Sequence, residues 1–404
     1  MQYRKDLRSN NELSILGFGC MRLPINTKAG ADLGKAEQLI CDAIERGINY
    51  FDTAYIYGNS EKILGAALQK SGKREEIFIA TKLPHNICRS EADFDRYFNE
   101  QLKRLQTDYI DYYLLHNVST LEAFERLLSI GLAEWVAKQK AAGKIGQIGF
   151  SFHGAQNEFL ELLDAYEWDF CQIQYNYMDE NFQAGKAGLQ KAHAQGLSVI
   201  IMEPLLGGKL AAGLPRKAEQ LLKQADSAKT PVAWALQWLW NQPEVTVVLS
   251  GMGASRQLDE NVELANNAKV GMLSPAELTT IASVIDVFKS AYKVDCTGCN
   301  YCMPCPQGIN IPGCFAAYNA RFVTGYISAI TLFLTSINTS SKGMKAGPAG
   351  CVECGACEKQ CPQHIPIMTE LKAVKKTLQP FFLDAGFRLY KKISGQGPKE
   401  PEAD

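Results

Sequence analysis

Nine of the chain's thirteen cysteines fall between positions 296 and 361, and eight of those nine stand in two closely spaced runs of four. The first run, CTGCNYCMPCP, places Cys296, Cys299, Cys302 and Cys305 before Pro306; the second, CVECGACEKQCP, places Cys351, Cys354, Cys357 and Cys361 before Pro362. Repeated two-residue gaps let three successive thiolates curl around one iron-sulfur cubane, whose fourth corner then needs a cysteine from elsewhere in the chain. Structural zinc also uses CxxC pairs, but it needs only two pairs per site and leaves the triple spacing and both Cys-Pro endings unexplained. The runs are therefore read as two [4Fe-4S] clusters, and Cys314, outside both patterns, as a buried structural thiol.

The other four cysteines, Cys20, Cys41, Cys88 and Cys171, are scattered, so the chain changes character near residue 291. No apolar stretch of signal-peptide length precedes the first strand candidate, and the expected compartment is the cytoplasm. The longest apolar run, Ile327 to Ile337, is interrupted by Thr331, Thr335 and Ser336 and falls short of the roughly 20 residues a membrane span requires. It reads as core or interface, with no membrane partner. A formal net charge of -1 with 21% charged residues gives no electrostatic reason for nucleic acid, leaving a small-molecule substrate and redox proteins such as ferredoxin as expected partners.

Before the cysteines, short β-rich apolar runs alternate with helical patterns: residues 15–19, 50–54, 77–82, 110–116, 145–151, 170–176, 197–204 and 245–251. Near-continuous hydrophobicity marks strands buried on both faces of a parallel sheet. Eight β-then-α units in succession point to a closed (β/α)8 barrel, an α/β TIM barrel, of about 250 residues. Helix starts are legible at Ser60, at Ser90 with Asp93, at Thr230-Pro231, and at Ser274-Pro275 with Glu277. The expected division is a barrel over 1–290, a smaller, mainly helical two-cluster domain over 291–385, and a disordered tail over 386–404, polar and rich in Pro and Gly.

Sites in such barrels lie at the C-terminal ends of the strands. Asp52 closes the second strand, Tyr57 follows in its loop, Lys82 closes the third and His116 the fourth. Carbonyl reduction needs a proton donor at the oxygen, and a phenol with a pKa near 10 serves only if a neighbouring cation stabilises the phenolate. Lys82 is the expected cation, Asp52 its counter-ion, and His116 the group that hydrogen-bonds and orients the substrate oxygen. Singly, Asp52 could be a turn cap and His116 a satisfied core histidine. Occurring together after three consecutive strands, the four residues read as a catalytic set.

DTAYIYGNSEKILG, with IATK and YYLLH, resembles the signature of the aldo-keto reductases over about residues 1 to 290. The resemblance implies the same four roles, and NADP(H) as cofactor. It implies nicotinamide contacts from Ser151 and Gln174, although Phe152 stands where the family has Asn and Met202-Glu203 where Tyr-Ser is common. It also implies an adenosine-phosphate clasp from Ser250, Gly251, Gln257, Glu260 and Asn261, with Arg256 able to meet a 2′-phosphate. The cysteine runs resemble two-cluster ferredoxins, in which the cysteine before proline ligates the other cluster. By that resemblance one cluster takes Cys296, Cys299, Cys302 and Cys361, and the second takes Cys351, Cys354, Cys357 and Cys305.

Clusters pass single electrons and nicotinamide a hydride, so a flavin is a possible mediator, though no flavin signature is present. The expectation is an iron-sulfur oxidoreductase reducing a carbonyl or related unsaturated small molecule. The alternative is an electron-transfer protein whose barrel serves as a docking or nicotinamide-sensing platform, like the barrel subunits attached to potassium channels.

Overall fold

The structure, a computed structural model, describes residues 1–23, 33–338 and 347–379. The tail expected from residue 386 lies outside the described residues. Each of the eight apolar runs forms a strand. After a short antiparallel ribbon, β1 (Tyr3–Lys5) and β2 (Glu12–Ser14), come β3 (Leu16–Gly19), β4 (Tyr50–Asp52), β5 (Phe78–Leu83), β6 (Ile110–Leu115), β7 (Ile145–Phe152), β8 (Phe170–Gln174), β9 (Ser198–Met202) and β10 (Val245–Ser250). Strands β3 to β10 pair in parallel in chain order, and β10 returns to β3 to close the barrel.

Side chains alternate between the two faces of a strand, so residues two apart share the barrel interior. Tyr50, Ala80, Tyr112, Leu114, Phe170, Ile200 and Val247 pack into one buried cluster with Leu13 of β2. Ring contacts of Tyr112 with Tyr50 and Phe170, at 5.2 and 5.1 Å, fill the interior. Two residues further along their strands stand Asp52, Lys82, His116 and Gln172. A polar layer therefore lies above an apolar one, at the strand ends.

The helix starts follow the sequence. Ser90 and Asp93 form a reciprocal capping box at helix Glu91–Leu105, Thr230 accepts from the Ala233 N–H at 3.1 Å, and Glu277 accepts from the Ser274 N–H at 2.8 Å. Such caps satisfy backbone donors that a helix's first turn leaves without partners.

The chain divides into two compact units, Met1–Leu206 with Leu222–Ile281 and Gly207–Leu221 with the residues from Ala282 onward. The second unit is mainly helical, with helices Ile311–Val323, Tyr326–Asn338 and Ile367–Leu378 around a core of Val294, Ile309, Ile311, Phe315, Phe333 and Leu371. The apolar run beginning at Ile327 contributes Ala329 and Phe333 to that core and leaves Ile327 exposed. Cys314 is fully buried, and desolvation pushes its thiol up to about 12. Among the described residues, no helix is long and apolar enough to cross a membrane.

The two cysteine runs share one backbone course. Left-handed φ angles recur two residues after the first cysteine (Gly298 +70°, Glu353 +57°) and one residue after the second (Asn300 +67°, Gly355 +73°). They recur again three residues after the fourth (Gly308 +74°, His364 +51°). Gly308 N–H then bonds Cys305 O at 2.8 Å as His364 N–H bonds Cys361 O at 3.1 Å. The Ile-Asn-Ile that leads into one helix is matched by the Ile-Pro-Ile that leads into another. The extra residue between Cys357 and Cys361 is absorbed without disturbing this pattern.

Candidate functional site

The ends of β4, β5 and β6 bring the four expected barrel residues together. Lys82 Nζ donates to Asp52 Oδ1, Asp52 Oδ2 and Thr53 O, each at 2.7 Å. The same Nζ lies 5.1 Å from the Tyr57 ring centroid, and Tyr57 meets the His116 ring edge-on at 5.6 Å. Asp52, Lys82 and His116 are buried, whereas Tyr57 is half-buried in the loop after β4. An ammonium tied down on its carboxylate side and facing a phenol on the other can stabilise that phenol's anion.

Burial pushes the Asp52 carboxyl up and the Lys82 amine down, and in each case the opposite charge of the partner works against the shift. Desolvation first, and then the Lys82 charge, hold His116 well below the ordinary histidine value. His116 is thus a neutral imidazole at physiological pH. His85, one loop away, is lowered to about 4 for the same first reason.

Gln172, which no motif singles out, donates to Asp52 Oδ2 at 3.0 Å. Gln174, the glutamine expected at the nicotinamide, donates instead to Asp179 Oδ2 at 2.7 Å. Both face the interior because they are two apart on β8, so the strand period could have drawn attention to either. Ser151 Oγ accepts from the Asn117 N–H at 2.8 Å. Phe152, its neighbour on the opposite strand face, is fully buried and packs on Phe159 at 5.0 Å. It is a core residue and leaves the interior face to Ser151. Tyr55 is likewise occupied, donating to Glu100 at 2.8 Å.

After β10, Asn261 donates to Ser250 Oγ at 3.0 Å, and Gln257 accepts from the Gly253 N–H at 2.8 Å. These bonds fix the turn that leads into helix Ser255–Asn266, whose first turn exposes Arg256. Glu260 accepts from the Thr230 hydroxyl at 2.6 Å. Gly251 lies beside Arg22, whose guanidinium reaches Glu203 at 3.7 Å. No spacing in the sequence announces Arg22; the barrel's closure between β3 and β10 brings it there.

In the second unit, one hollow of about 310 Å3, measured with its opening to solvent, is lined by Cys296, Cys299, Cys302 and Cys361. Another, of about 320 Å3, is lined by Cys305, Cys351, Cys354 and Cys357. Each hollow takes three thiols from one run and the fourth from the other. Soft thiolate donors in a cradle of this kind fit an iron-sulfur cubane. Among the described residues, no three His, Cys, Asp or Glu side chains gather as one metal ion would require.

Residues 15–286 match the model of the Aldo/keto reductase family, and residues 295–365 match that of a 4Fe-4S dicluster domain. An uncharacterized oxidoreductase of Bacillus subtilis, YqkF, is 30% identical over 304 residues, covering 66% of this chain and 92% of its own. The aldo-keto reductase yakc [NADP(+)] of Schizosaccharomyces pombe is 26% identical, covering 67% of this chain and 77% of its own. Among solved structures, the holo form of aldo-keto reductase AKR11C1 from Bacillus halodurans superposes with a TM-score of 0.59 at 27% identity, covering 70% of this chain and 96% of its own.

Proposed function

The chain belongs to the aldo/keto reductase family and carries a 4Fe-4S dicluster domain, and we propose that it reduces a carbonyl or related unsaturated small molecule with Tyr57 as the proton donor. The observation that carries this reading is Lys82 Nζ, held by both Asp52 oxygens and placed beside the Tyr57 ring. When Tyr57 gives up its proton to a developing alkoxide, the fixed ammonium meets the phenolate without reorganisation. Asp52 keeps Lys82 protonated and aimed, and Gln172 steadies Asp52. His116, neutral and in contact with Tyr57, serves as a hydrogen-bond partner for the substrate oxygen rather than as the acid.

NADP(H) is the proposed hydride source, in keeping with the NADP(+) named for the yeast relative. Ser250, Gly251, Gln257, Glu260 and Asn261 would hold its adenosine end at the start of helix Ser255–Asn266, where backbone N–H groups favour phosphate. Ser151 and Gln172 would meet the nicotinamide end in place of the Ser151–Gln174 pair, because Gln172 keeps a buried amide oxygen without a hydrogen-bond partner, whereas Gln174 is engaged by both Asp179 and Gln183. The two clusters supply single-electron transfer when bound, and the thiol quartets of the two hollows would hold them. A flavin would link that chemistry to a hydride. A redox protein such as ferredoxin is the proposed partner for the dicluster domain.

The test is anaerobic. The purified protein is assayed for iron and bound organic cofactor, and NADPH is added while the cluster absorbance is followed. Bleaching by NADPH, with turnover of a small carbonyl lost about 10²- to 10⁴-fold in Tyr57→Phe, is the expected result. Unbleached clusters, or full turnover without the Tyr57 hydroxyl, would sink the reading.

A further inference from the structure

The Arg22 side chain links three strand ends. It ends the short helical turn Cys20–Arg22 after β3, passes Gly251 just after β10, and reaches Glu203 just after β9. In the barrel β10 lies between β3 and β9, so the guanidinium bridges the width of one strand. A Cβ added to Gly251 would sit 3.6 Å from Arg22 Cβ and 3.9 Å from Arg22 Cδ, so the arginine stem follows the glycine backbone closely. Gly251 and Gly253 lead into helix Ser255–Asn266, whose N-cap, Ala254, has no side chain to cap the first turn. Uncapped first-turn N–H groups favour an anion, and a cation beside them adds to that preference.

Glu203 is placed with some care. Its φ is +54°, a left-handed conformation that a residue with a Cβ disfavours. Asn176 Nδ2 holds it there, donating to Glu203 O at 3.1 Å and to Asp179 Oδ2 at 2.9 Å. Asp179 accepts in turn from Gln174, so a polar chain runs from β8 to the turn after β9. Backbone strain maintained by its surroundings in this way gathers at ligand clamps. The Arg22–Glu203 separation of 3.7 Å is longer than a charge-assisted hydrogen bond, and the arginine side chain is 41% exposed against 16% for the glutamate. A loose pair of this kind is weak, and its outer member is open to a better anion.

We propose that Arg22 is the cation that meets the pyrophosphate of the nicotinamide cofactor, and that Glu203 positions the guanidinium until the phosphates replace it. The proposal rests on the NADP(H) reading, which the unpaired Gln172 amide oxygen at one end of the groove and the uncapped helix start at the other both fit. The planar guanidinium fork matches two phosphate oxygens, a better partner than a carboxylate 3.7 Å away. Arg22 then recognises what NADP(H) and NAD(H) have in common, and Arg256, exposed in the first turn of the helix, is left for the 2′-phosphate that only NADP(H) carries.

The test is calorimetric titration of the anaerobic full chain with NADP+ and, separately, NAD+, for wild type, Arg22→Gln, Arg22→Lys, Glu203→Gln and Arg256→Gln. Arg22→Gln should weaken both nucleotides by the same factor, about tenfold or more, and Arg22→Lys should restore part of the loss. Glu203→Gln removes the competing carboxylate and should tighten both by about threefold. Arg256→Gln should weaken NADP+ alone. Unchanged affinities in Arg22→Gln, or a loss confined to NADP+, overturn the role of Arg22, and weaker binding in Glu203→Gln overturns that of Glu203. A wild-type chain that binds neither nucleotide overturns the NADP(H) reading itself, which separates the two failures.

Discussion

Lys82 and Asp52 form a two-pronged ion pair inside the barrel, with Nζ 2.7 Å from each carboxylate oxygen and the lysine 1% exposed. Removing one member of a buried pair leaves the other charge without compensation, which typically costs about 3–5 kcal/mol. Here the same pair is proposed to make Tyr57 a usable acid, so stability and rate are joined at one atom.

Lys82→Met should therefore lose about 3–5 kcal/mol of stability and at least about a hundredfold in kcat. The double variant Asp52→Asn/Lys82→Met should regain part of the stability, because the orphaned carboxylate is gone, and none of the rate. Denaturant midpoints and kcat measured on the three proteins check this; recovery of rate in the double variant would rule out the proposed role of Lys82.

The buried histidines give a pH dependence of definite sign. His85 is lowered to about 4, and His116 is also held down, so both stay neutral in the folded chain while unfolded histidines take up protons below about 6.5. The unfolded state then binds more protons, and stability is lost as pH falls from about 6.5 towards 4, by about 3 kcal/mol for His85 alone. His85→Gln should flatten the slope of barrel melting temperature against pH over that window. An unchanged slope would show that His85 is protonated in the folded protein.

Phe152 stands where the aldo-keto reductases resembled in sequence have Asn, and it packs into an aromatic group with Phe150 and Phe159. Phe152→Asn should cost about 3–5 kcal/mol, as deletion of a core ring does, and should not lower KM for NADPH. A tighter KM with stability retained would place residue 152 at the cofactor after all.

Crossed ligation makes a pairing prediction. Cys305→Ala/Cys354→Ala should damage one cluster and leave about four of about eight irons, whereas Cys305→Ala/Cys361→Ala should damage both. Iron and sulfide counts on anaerobic preparations decide it. Ligation of each cluster by one run alone predicts that Cys305→Ala/Cys302→Ala spares a whole cluster, the opposite of the result expected here.

Much of the fold was legible because its causes are local. Eight apolar runs became eight strands, and the caps at Ser90, Thr230 and Ser274 formed where side-chain oxygens preceded helical patterns. The gathering of Asp52, Tyr57, Lys82 and His116 could also be anticipated, since the C-terminal ends of consecutive barrel strands are neighbours. Gln172 and Arg22 could not be singled out this way. Gln172 was indistinguishable from Gln174 by strand period, and only the contact with Asp52 separates them.

The sequence by itself determined the alternation of strands and helices, the family signature and the spacing of the eight thiols, because each depends on residues close together in the chain. Which glutamine meets Asp52, and that Gly207–Leu221 belongs with the cysteine-rich unit rather than with the strands around it, were settled only in the folded chain. Those outcomes are set by closure of the barrel and packing of the second core, where residues tens to hundreds of positions apart come within a few ångströms, and no local pattern records such meetings.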